Sequence, residues 1–424
     1  MGQTMKKSLF IILMFVTMFG GCGKTDSTQE QQELVFWHVM SDQKGVALRE
    51  IIDAYNATNP TMKIRAEFVG DYDTLYRKTM AALLAKRPPD LAMAYSNMVT
   101  EYMKYQAVAD LTPYLDAEPK QDVQDFYPVF LEDSRFPAFE NKLLSMPFTK
   151  SILMLYYNVD MLKEIGLDVP PATWDQFIAA CKAIKAKRNI SPLAFARDAS
   201  TFDGLVFSFG GEVYDPKSQK TLFDQPATLQ ALTLLRDLFD QELAHETAYG
   251  TYDDRNDFVS ENAAFFIRSS TSRPYVKELV GTKFNWSATV LPHDKALKEP
   301  RTVLFGPNLC IFKKDAAREK AAWDFVRYFT SPDVSAKWAV KSGYLPVRKS
   351  ALQQPMIQTF LNEHPANRET INIIPWAHPE PGVRGWQEVR SLLEKFSSQV
   401  ITKTQPPEEA AADLQRQALE VLKN

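Results

Sequence analysis

Residues 34–60 read LVFWHVMSDQKGVALREIIDAYNATNP, and the fold class predicted for this chain follows from them. Residues 34–37 form a short apolar run that is typical of a buried strand. A helix is predicted next, because apolar side chains recur at helical spacing on one face: Leu48, Ile51, Ile52 and Tyr55. Asn59-Pro60 ends this helix, since proline cannot continue its hydrogen-bond ladder.

The same order of strand and helix repeats immediately downstream. Residues 62–68 alternate as a second strand, residues 72–86 read as a second helix, and residues 90–95 read as a third strand. Strands that alternate with helices favour a parallel sheet covered on both faces. The sequence therefore predicts an α/β protein.

Further elements are predicted along the rest of the chain. SILMLYYN (151–158) reads as a core strand, and Thr173 with Gln176 forms a capping box at a helix start. A strand over 302–312 is interrupted at Gly306-Pro307. Elements of both kinds continue to the C-terminus, where Pro406-Pro407 introduces a last helix.

Length and composition restrict the class of protein. A chain of 424 residues is too long for one compact core and suits two. Its net charge of -3, without a basic run, gives no indication of nucleic-acid binding. The five histidines are scattered and no metal-ligand motif is present, so neither a metal nor another cofactor is expected. Cys181 and Cys310 are expected to be buried apolar groups rather than a disulfide, although pairing stays open.

The N-terminus has the pattern of an export signal. Two lysines precede an apolar run of residues 8–19 and small residues before Cys22, which predicts a signal peptide over 1–21. The position of Cys22 resembles a lipobox cysteine, which becomes acylated and anchors the chain to a membrane. Ordinary secretion with a chance cysteine is the alternative. The polar residues 22–32 are expected to form a flexible, lipid-anchored tether.

Four blocks of sequence carry a resemblance to a known family. They are FWHVM (36–40), PF (147–148) with LYYN (155–158), KSGYLPV (341–347) and GVRGWQEV (382–389). In this order and spacing they resemble the family 1 extracellular solute-binding proteins of ABC importers. The branch that binds glycerol 3-phosphate, glycerophosphodiesters and sugars is the most similar.

The resemblance implies a two-lobed, type II periplasmic-binding-protein-like fold. Each lobe is expected to be a mainly parallel sheet flanked by helices, with a hinge of several chain segments between them. Carried onto this sequence, lobe one holds 33–148 and 302–342, and lobe two holds 149–301 and 343–424. Crossings between the lobes are expected at Pro147-Phe148, at 291–301 and at Gly343-Tyr344.

Ligands of open α/β sheets lie beyond the carboxyl ends of strands. Trp37 ends the first strand, where its ring is expected either to stack on a sugar or to pack in the core. The resemblance implies ligand contacts at Tyr72, Ser96, Asn97, Ser151, Ser270, Gly306, Tyr344 and Arg384. Ser96 or Asn97 replaces a glutamate of the branch, which puts the same ligand in doubt.

Two cations bear on the nature of the ligand. Arginine grips phosphate or carboxylate in a bidentate way, so Arg384→Ala is expected to abolish binding of a phosphate ligand at a cost of about 2–5 kcal/mol. A surface or hinge salt bridge is the alternative role of Arg384. Lys150 intrudes into a hydroxyl-rich turn of the branch, where it either adds a positive donor for an acid or is a solvated surface charge.

The resemblance implies a receptor rather than an enzyme. The predicted protein is a monomeric, extracytoplasmic lipoprotein that captures a sugar, polyol phosphate or glycerophosphodiester and delivers it to ABC transporter permease subunits. An exported carbohydrate-active hydrolase and a receptor of a signalling system are the alternatives. The sequence contains neither the GxSxG elbow of a serine hydrolase nor a setting for paired glycosidase acids.

Overall fold

The computed structural model describes residues 32–248 and 251–423. The predicted signal peptide, Cys22 and all of the predicted tether except Gln32 lie outside the described residues. No helix within the described ranges is long and apolar enough to cross a bilayer.

The structure contains both helices and strands throughout its length. Strands β1 to β16 span, in chain order, Gln32–His38, Met62–Phe68, Leu91–Ala94, Arg135–Phe136, Lys142–Leu143, Met146–Pro147, Ser151–Asn158, Leu193–Ala196, Tyr214–Asp215, Lys220–Thr221, Ala244–Thr247, Phe265–Ser269, Trp286–Thr289, Thr302–Phe305, Asn308–Ile311 and Ala377–Pro379. Helices α1 to α18 span Asp42–Thr58, Tyr72–Leu84, Ser96–Tyr102, Thr112–Asp116, Lys120–Gln124, Pro128–Glu132, Val159–Glu164, Trp174–Arg188, Ala199–Ser208, Pro226–Asp240, Asp253–Val259, Arg273–Val280, Ala316–Phe329, Pro332–Ser342, Pro355–Glu363, Pro365–Ile373, Trp386–Ile401 and Pro407–Lys423. Short 3-10 helices span Met103–Tyr105, Pro137–Phe139, Ser270–Ser272, Lys349–Gln353 and Ile374–Trp376.

The first lobe is built on a five-stranded sheet in the order β2-β1-β3-β15-β6. β1 runs parallel to β2 and β3, as the alternation of strands and helices predicted. β15 runs antiparallel to β3 and β6, because it re-enters the sheet from the other lobe. The sheet is therefore mixed, with its parallel part at the N-terminus of the chain.

The second lobe is built on a seven-stranded sheet. Its main order is β11-β8-β12-β7-β14-β16, and β13 also pairs with β7. β8 is parallel to β11 and β12, whereas β7 is antiparallel to β12, β13 and β14. The long strand β7 is thus the centre of a second mixed sheet.

The chain passes between the two sheets at three places. The first crossing lies between β6 and β7, and the second lies at Gly306-Pro307, between β14 and β15. The third follows α14 and leads to β16. The segment 291–301, expected to be a crossing, instead joins two strands that both pair with β7. β14 therefore lies in the second sheet, although it falls in the range expected for lobe one.

The side chains of β7 alternate between two hydrophobic clusters. Ile152, Met154 and Tyr156 pack with the cluster that continues into the first lobe. Leu153 and Leu155 pack on the opposite face, with helices of the second lobe. Successive side chains of a strand point to opposite faces, and here both faces are covered by hydrophobic residues. An almost uninterrupted apolar run is therefore compatible with a strand that is buried on both faces.

Several local signals in the sequence have their predicted structures. Thr173 and Gln176 form the reciprocal capping box at the start of α8, and the Asp315 side chain accepts hydrogen bonds from the first turn of α13. Cys181 and Cys310 are both free and buried, in separate clusters. They do not pair, and burial raises the pKa of each thiol above its ordinary value.

Candidate functional site

Three adjoining cavities lie between the lobes. The Phe136 cavity has a volume of about 350 Å³ and is lined by Ser96, Glu132, Asp133, Arg135, Phe136, Pro137, Ala138, Phe207, Glu212, Val213, Tyr214, Pro216, Gln219, His378, Pro379, Glu380, Pro381, Gly382 and Val383. The Trp386 cavity has a volume of about 230 Å³ and is lined by Tyr72, Asp73, Tyr95, Ser96, Asn97, Met98, Asp133, Ser200, Leu304, Phe305, Gly306, Glu380, Pro381, Trp386, Gln387 and Arg390. The Tyr344 cavity has a volume of about 300 Å³ and is lined by Tyr72, Tyr95, Ser151, Leu153, Ala196, Asp198, Ser200, Thr201, Tyr252, Ile267, Arg268, Ser269, Thr271, Ser272, Phe305, Gly306, Pro307, Tyr344 and Arg390.

The three cavities form one continuous cleft. Ser96 and Glu380 line both the Phe136 and Trp386 cavities, and Tyr72, Gly306 and Arg390 line both the Trp386 and Tyr344 cavities. Its walls come from both lobes and from the crossing segments. A ligand in this cleft would therefore contact both lobes at once.

A cluster of three tyrosines occupies the junction of the Trp386 and Tyr344 cavities. The ring centroids of Tyr72 and Tyr95 are 4.8 Å apart, and the side chain of Tyr72 hydrogen-bonds those of Tyr95 and Tyr344. Burial raises the pKa of Tyr72 and of Tyr344 above the ordinary value for tyrosine. The hydroxyl groups of Tyr72 and Tyr344 are thus neutral and can act as hydrogen-bond donors or acceptors.

Tyr344 is held in place by the crossing that carries it. Its ring stacks on that of Trp338 at 5.8 Å, and Gly343 adopts the left-handed conformation (φ 78) that ends α14. The buried Arg273 guanidinium donates to the carbonyl oxygens of Ser270 at 2.8 Å and Gly343 at 3.0 Å, and to Asn367 Oδ1 at 3.1 Å. One cation therefore joins the turn beside Thr271 to the segment that positions Tyr344.

Gly306 allows two crossing segments to approach each other closely. It has φ 108, and a Cβ at this position would lie 1.5 Å from the carbonyl oxygen of Thr149. Only glycine fits here, because the conformation and the contact both exclude a side chain. The backbone of Gly306 thereby becomes part of the cleft wall, which Ser151 also lines.

Lys150 is buried and belongs to a network across the crossings. Its ammonium group is hydrogen-bonded to Asp133 and, at 3.1 Å, to the carbonyl oxygen of Gly306. Asp133 also accepts hydrogen bonds from the Ser96 hydroxyl at 2.9 Å and from Asn308 Nδ2 at 3.0 Å. Lys150 is consequently neither a free donor for an acidic ligand nor a solvated charge.

Arg390 is the centre of a charged group at the junction of the cavities. Its guanidinium donates to Glu380, to the Ser200 hydroxyl at 2.8 Å and to Asp198 Oδ1 at 3.4 Å. Asp203 is fully buried in α9, and neither of its carboxyl oxygens has a hydrogen-bond partner within the described part of the chain. Arg390 is therefore paired with Glu380 and Asp198, and Asp203 is a third acid close to the same guanidinium.

Comparisons with known proteins agree with this architecture. The family model described as bacterial extracellular solute-binding protein matches residues 50–367. The chain belongs to this family. The match supports the receptor hypothesis over the hydrolase hypothesis and places the protein outside the cytoplasm.

Relatives of this solute-binding protein include the sn-glycerol-3-phosphate-binding periplasmic proteins UgpB. The one from Yersinia pestis bv. Antiqua (strain Antiqua) is 25% identical over 401 residues, which cover 89% of each chain. The one from Escherichia coli (strain K12) is 25% identical over 418 residues, which cover 92% of each chain. The similarity thus extends over nearly the full length of both proteins.

Solved structures share the fold of this solute-binding protein. UgpB from Mycobacterium tuberculosis, in complex with glycerophosphocholine, has a TM-score of 0.79 at 22% identity, with 93% of this chain and 99% of that chain covered. A cyclic alpha-maltosyl-1,6-maltose binding protein from Arthrobacter globiformis has a TM-score of 0.81 at 21% identity, with 93% and 100% covered. The two-lobed, type II fold is confirmed.

Most of the residues expected to contact ligand lie together in the cleft. Those that line at least one cavity are Tyr72, Ser96, Asn97, Ser151, Gly306 and Tyr344. Ser270 does not line the three cavities; its hydroxyl instead accepts a hydrogen bond from the Ile152 amide at 3.3 Å. Its neighbours Ser269 and Thr271 line the Tyr344 cavity.

Trp37 and Arg384 do not line the three cavities. The indole of Trp37 donates to Glu67 Oε2 at 2.7 Å, and the Lys78 ammonium lies 4.0 Å from its ring centroid, so Trp37 has the packing role. Arg384 is exposed and makes no salt bridge with the described residues. The arginine of this segment that lines the cleft is Arg390, one turn into α17, where the sequence pattern gave no separate signal for it.

The acids around Arg390 change each other's ionisation. Burial raises the pKa of Asp203 well above its ordinary value, and the neighbouring Glu380 raises it further. Burial likewise raises the pKa of Asp198. Burial opposes the charged form of Arg390, but Glu380 and Asp198 raise its pKa above the ordinary value. The expected state is a neutral Asp203 beside a charged Arg390.

The cleft lining was compared with the side chains that metal ions require. Within residues 32–248 and 251–423, no group of His, Cys, Asp and Glu side chains is arranged to hold a metal ion. The cleft offers hydroxyl groups, aromatic rings and charged side chains, which suit reversible binding of a polar solute.

Proposed function

We propose that this protein captures a small hydroxyl-rich solute, of the carbohydrate or glycerol-phosphate type, in the interlobe cleft and delivers it to the permease of an ABC importer. The observation that carries the proposal is a continuous cleft whose polar lining comes from both lobes and from their crossings. The names of the relatives, which bind glycerol 3-phosphate, glycerophosphocholine or a cyclic maltose derivative, support this ligand class.

In the proposed mechanism, ligand binding supplies the free energy for closure of the lobes, and no chemical reaction is required. A ligand that contacts both walls stabilises the closed arrangement of the lobes only by its higher affinity for it. Tyr72 on the first lobe and Ser151 on the second can then hydrogen-bond the same ligand. The closed protein, acting as a monomer, presents the permease with a surface that the open protein lacks.

Calorimetry on the purified protein tests this function. Titration with sugars, glycerol 3-phosphate and glycerophosphocholine is expected to give saturable binding of at least one class, with the intact ligand recovered afterwards. Recovery of a hydrolysed product would support the hydrolase hypothesis instead. A growth defect on the bound solute after deletion of the gene distinguishes an importer from a signalling receptor.

We also propose that Cys22 is acylated after removal of residues 1–21 and anchors the protein to the outer side of a membrane. The spacing of lysines, apolar run, small residues and cysteine supports this anchor. The polar residues that follow would place the folded body away from the lipid surface.

Labelling cells with a radioactive fatty acid tests the anchor. The wild-type protein is expected to incorporate label and to fractionate with membranes, whereas Cys22→Ser is expected to do neither. Equal labelling of Cys22→Ser and wild type would exclude acylation at this cysteine.

A further inference from the structure

A hydrogen bond joins a helix of the first lobe directly to a loop of the second lobe. The Thr100 hydroxyl, in α3, donates to the carbonyl oxygen of Gly382 at 2.6 Å. Gly382 lies between β16 and α17, and both of these elements belong to the second lobe. Thr100 is buried and lines none of the three cavities. The bond therefore connects the lobes through a side chain that is not part of the cleft lining.

Gly382 lies too close to the first lobe to carry a side chain. A Cβ at this position would lie 2.8 Å from Ser96 Cβ and 3.5 Å from Phe136 Cε1, and both of these residues belong to the first lobe. Ser96 cannot give way, because its Cβ is fixed to the backbone of α3 and its hydroxyl donates to Asp133 at 2.9 Å. Gly382 does not have a positive φ, so the approach of the two lobes, rather than a left-handed conformation, requires glycine here.

Both partners of this hydrogen bond have another partner when the lobes separate. The Thr100 hydroxyl also donates to the carbonyl oxygen of Ser96, one turn earlier in α3, at 3.2 Å. The Gly382 carbonyl oxygen, which lies on a loop, accepts a hydrogen bond from water once the first lobe has moved away. Neither group is then left buried and unpaired, so the contact opens and re-forms at low cost.

We propose that Thr100 and Gly382 form a latch that holds the two lobes in the closed arrangement and thereby slows the escape of a bound solute. This inference rests on the proposed function and assigns to two residues a share in the balance between open and closed protein. A contact that is made only in the closed arrangement stabilises that arrangement and raises the apparent affinity for a solute that binds to it. Thr100 is thus a positioning residue, which acts on the solute through the arrangement of the lobes.

Distances between the lobes test the latch directly. Spin labels would be attached at Ala81→Cys in α2 and Ser391→Cys in α17, two exposed positions on different lobes. Cys181 and Cys310 are buried and do not compete for the label, and Cys22→Ser removes the remaining thiol. Pulsed electron spin resonance would compare the ligand-free protein with samples that contain maltose, glycerol 3-phosphate or glycerophosphocholine.

Gly382→Ala is expected to shift the lobes apart. Its methyl group does not fit the closed arrangement, so the fraction of molecules at the short distance is expected to fall at least threefold relative to the wild type. Gly45→Ala is the matched control, because its new carbon would lie 2.8 Å from the carbonyl oxygen of Met40, within the first lobe. This control is expected to lower the melting temperature and to leave the distances between the lobes unchanged.

Thr100→Val removes the hydroxyl with little change of shape. For each probe that binds, the dissociation rate constant is expected to rise at least threefold, whereas the association rate constant stays within a factor of two, because the open protein is unaltered. Thr100→Ser keeps the hydroxyl and is expected to restore the wild-type rate. Thr330→Val is the matched control, since the buried Thr330 hydroxyl donates to the carbonyl oxygen of Val326 at 2.8 Å within the first lobe.

The possible failures are distinguishable. If Gly382→Ala and the wild type give the same distances in every sample, the latch is refuted, whether or not a probe binds. A wild type that never populates the short distance refutes it equally. Unchanged dissociation rates in Thr100→Val would overturn the role of its hydroxyl. If no probe binds, the proposed ligand class fails, while the distances in the ligand-free protein still decide for or against the latch.

Discussion

Two arginines near the start of α17 show how similar residues acquire different roles. Arg384 precedes the helix and is exposed, whereas Arg390 lies within it and reaches the cleft. Both belong to one short stretch, GVRGWQEVR (382–390), and both are arginines. The helical turn, which places residue 390 on the cleft side, distinguishes them.

Arg384→Ala is expected to leave ligand affinity within about twofold of the wild type, because exposed side chains without specific contacts contribute less than about 0.5 kcal/mol. From the sequence alone, the same substitution was expected to abolish binding of a phosphate ligand; the exposed position of Arg384 predicts this smaller effect instead. Calorimetry with the ligand found for the wild type measures it. A tenfold or larger loss would show that Arg384 moves into the cleft when the lobes close.

Arg273 is predicted to act as a positioning residue. Arg273→Lys cannot reproduce donation to Ser270, Gly343 and Asn367, so Tyr344 is expected to lose its fixed position and ligand affinity to fall by about tenfold, or 1.4 kcal/mol. Arg236→Lys is the matched control, since Arg236 bridges the carbonyl oxygens of Val400 and Gln405 away from the cleft. Both variants are expected to lower the melting temperature, but only Arg273→Lys is expected to weaken binding.

Asp203 is expected to make stability depend on pH. Because its pKa is raised in the folded protein, the unfolded chain ionises first as pH rises above about 4, and the folded state loses relative stability. Asp203→Asn removes this loss, so the variant is expected to gain about 1–2 kcal/mol over the wild type near neutral pH and little at pH 4. Arg390, Glu380 and Asp198, which surround Asp203, remain in place.

Urea unfolding across pH 4–8 measures this effect. The exposed Asp224 provides the control, because Asp224→Asn is expected to show no difference that grows with pH. A difference between Asp203→Asn and the wild type that shrinks as pH rises would contradict a neutral Asp203.

At the scale of elements, the crossings between lobes set the shape of the cleft. The turn at Gly306-Pro307 joins β14 in one sheet to β15 in the other and lies against the Thr149-Lys150 segment. The network of Lys150, Asp133 and Ser96 then connects this turn to the start of α3. Lining residues of both lobes are therefore held by the hinge itself.

Gly306→Ala is expected to destabilise the fold by at least about 3 kcal/mol, because the new methyl group would overlap a backbone oxygen that cannot move away alone. Gly166→Ala is the matched control. Gly166 also has a positive φ (79) but has nothing within 4 Å of the added carbon, so only the left-handed conformation should cost about 1–2 kcal/mol. Chemical denaturation of both variants measures the difference, and equal losses would refute the close-approach argument.

At the scale of the whole molecule, the two lobes share a hydrophobic cluster beside the hinge. That cluster joins residues of the first sheet to one face of β7, while a second cluster fills the opposite face of the second sheet. Closure is thus expected to be a rotation about the crossings, which leaves the cluster of the second lobe packed and shifts contacts only within the shared cluster beside the hinge.

Ligand binding is expected to reduce the radius of gyration and to stabilise the protein by about 2.7 kcal/mol at a ligand concentration one hundred times the Kd. Small-angle scattering and thermal unfolding, with and without ligand, measure the two effects. Stabilisation without any change in scattering would indicate binding without closure.

The local signals of this chain were sufficient for part of its secondary structure. Capping residues, proline stops and the apolar runs at 34–37 and 151–158 act through neighbouring residues, so they can be recognised without the fold. The resemblance then indicated two lobes and six residues that line the cleft: Tyr72, Ser96, Asn97, Ser151, Gly306 and Tyr344.

The roles of several candidate site residues depend on contacts between segments that are far apart in the sequence. The burial of Lys150 against Asp133, the turn of Ser270 into the core and the choice of Arg390 over Arg384 all depend on segments far apart in sequence meeting at the crossings. Burial and partner charges change what each side chain can do, and neither is a property of a residue and its neighbours along the chain. For this reason the family could be recognised from the amino acids, while the charge that a ligand meets emerged only when the lobes were in place.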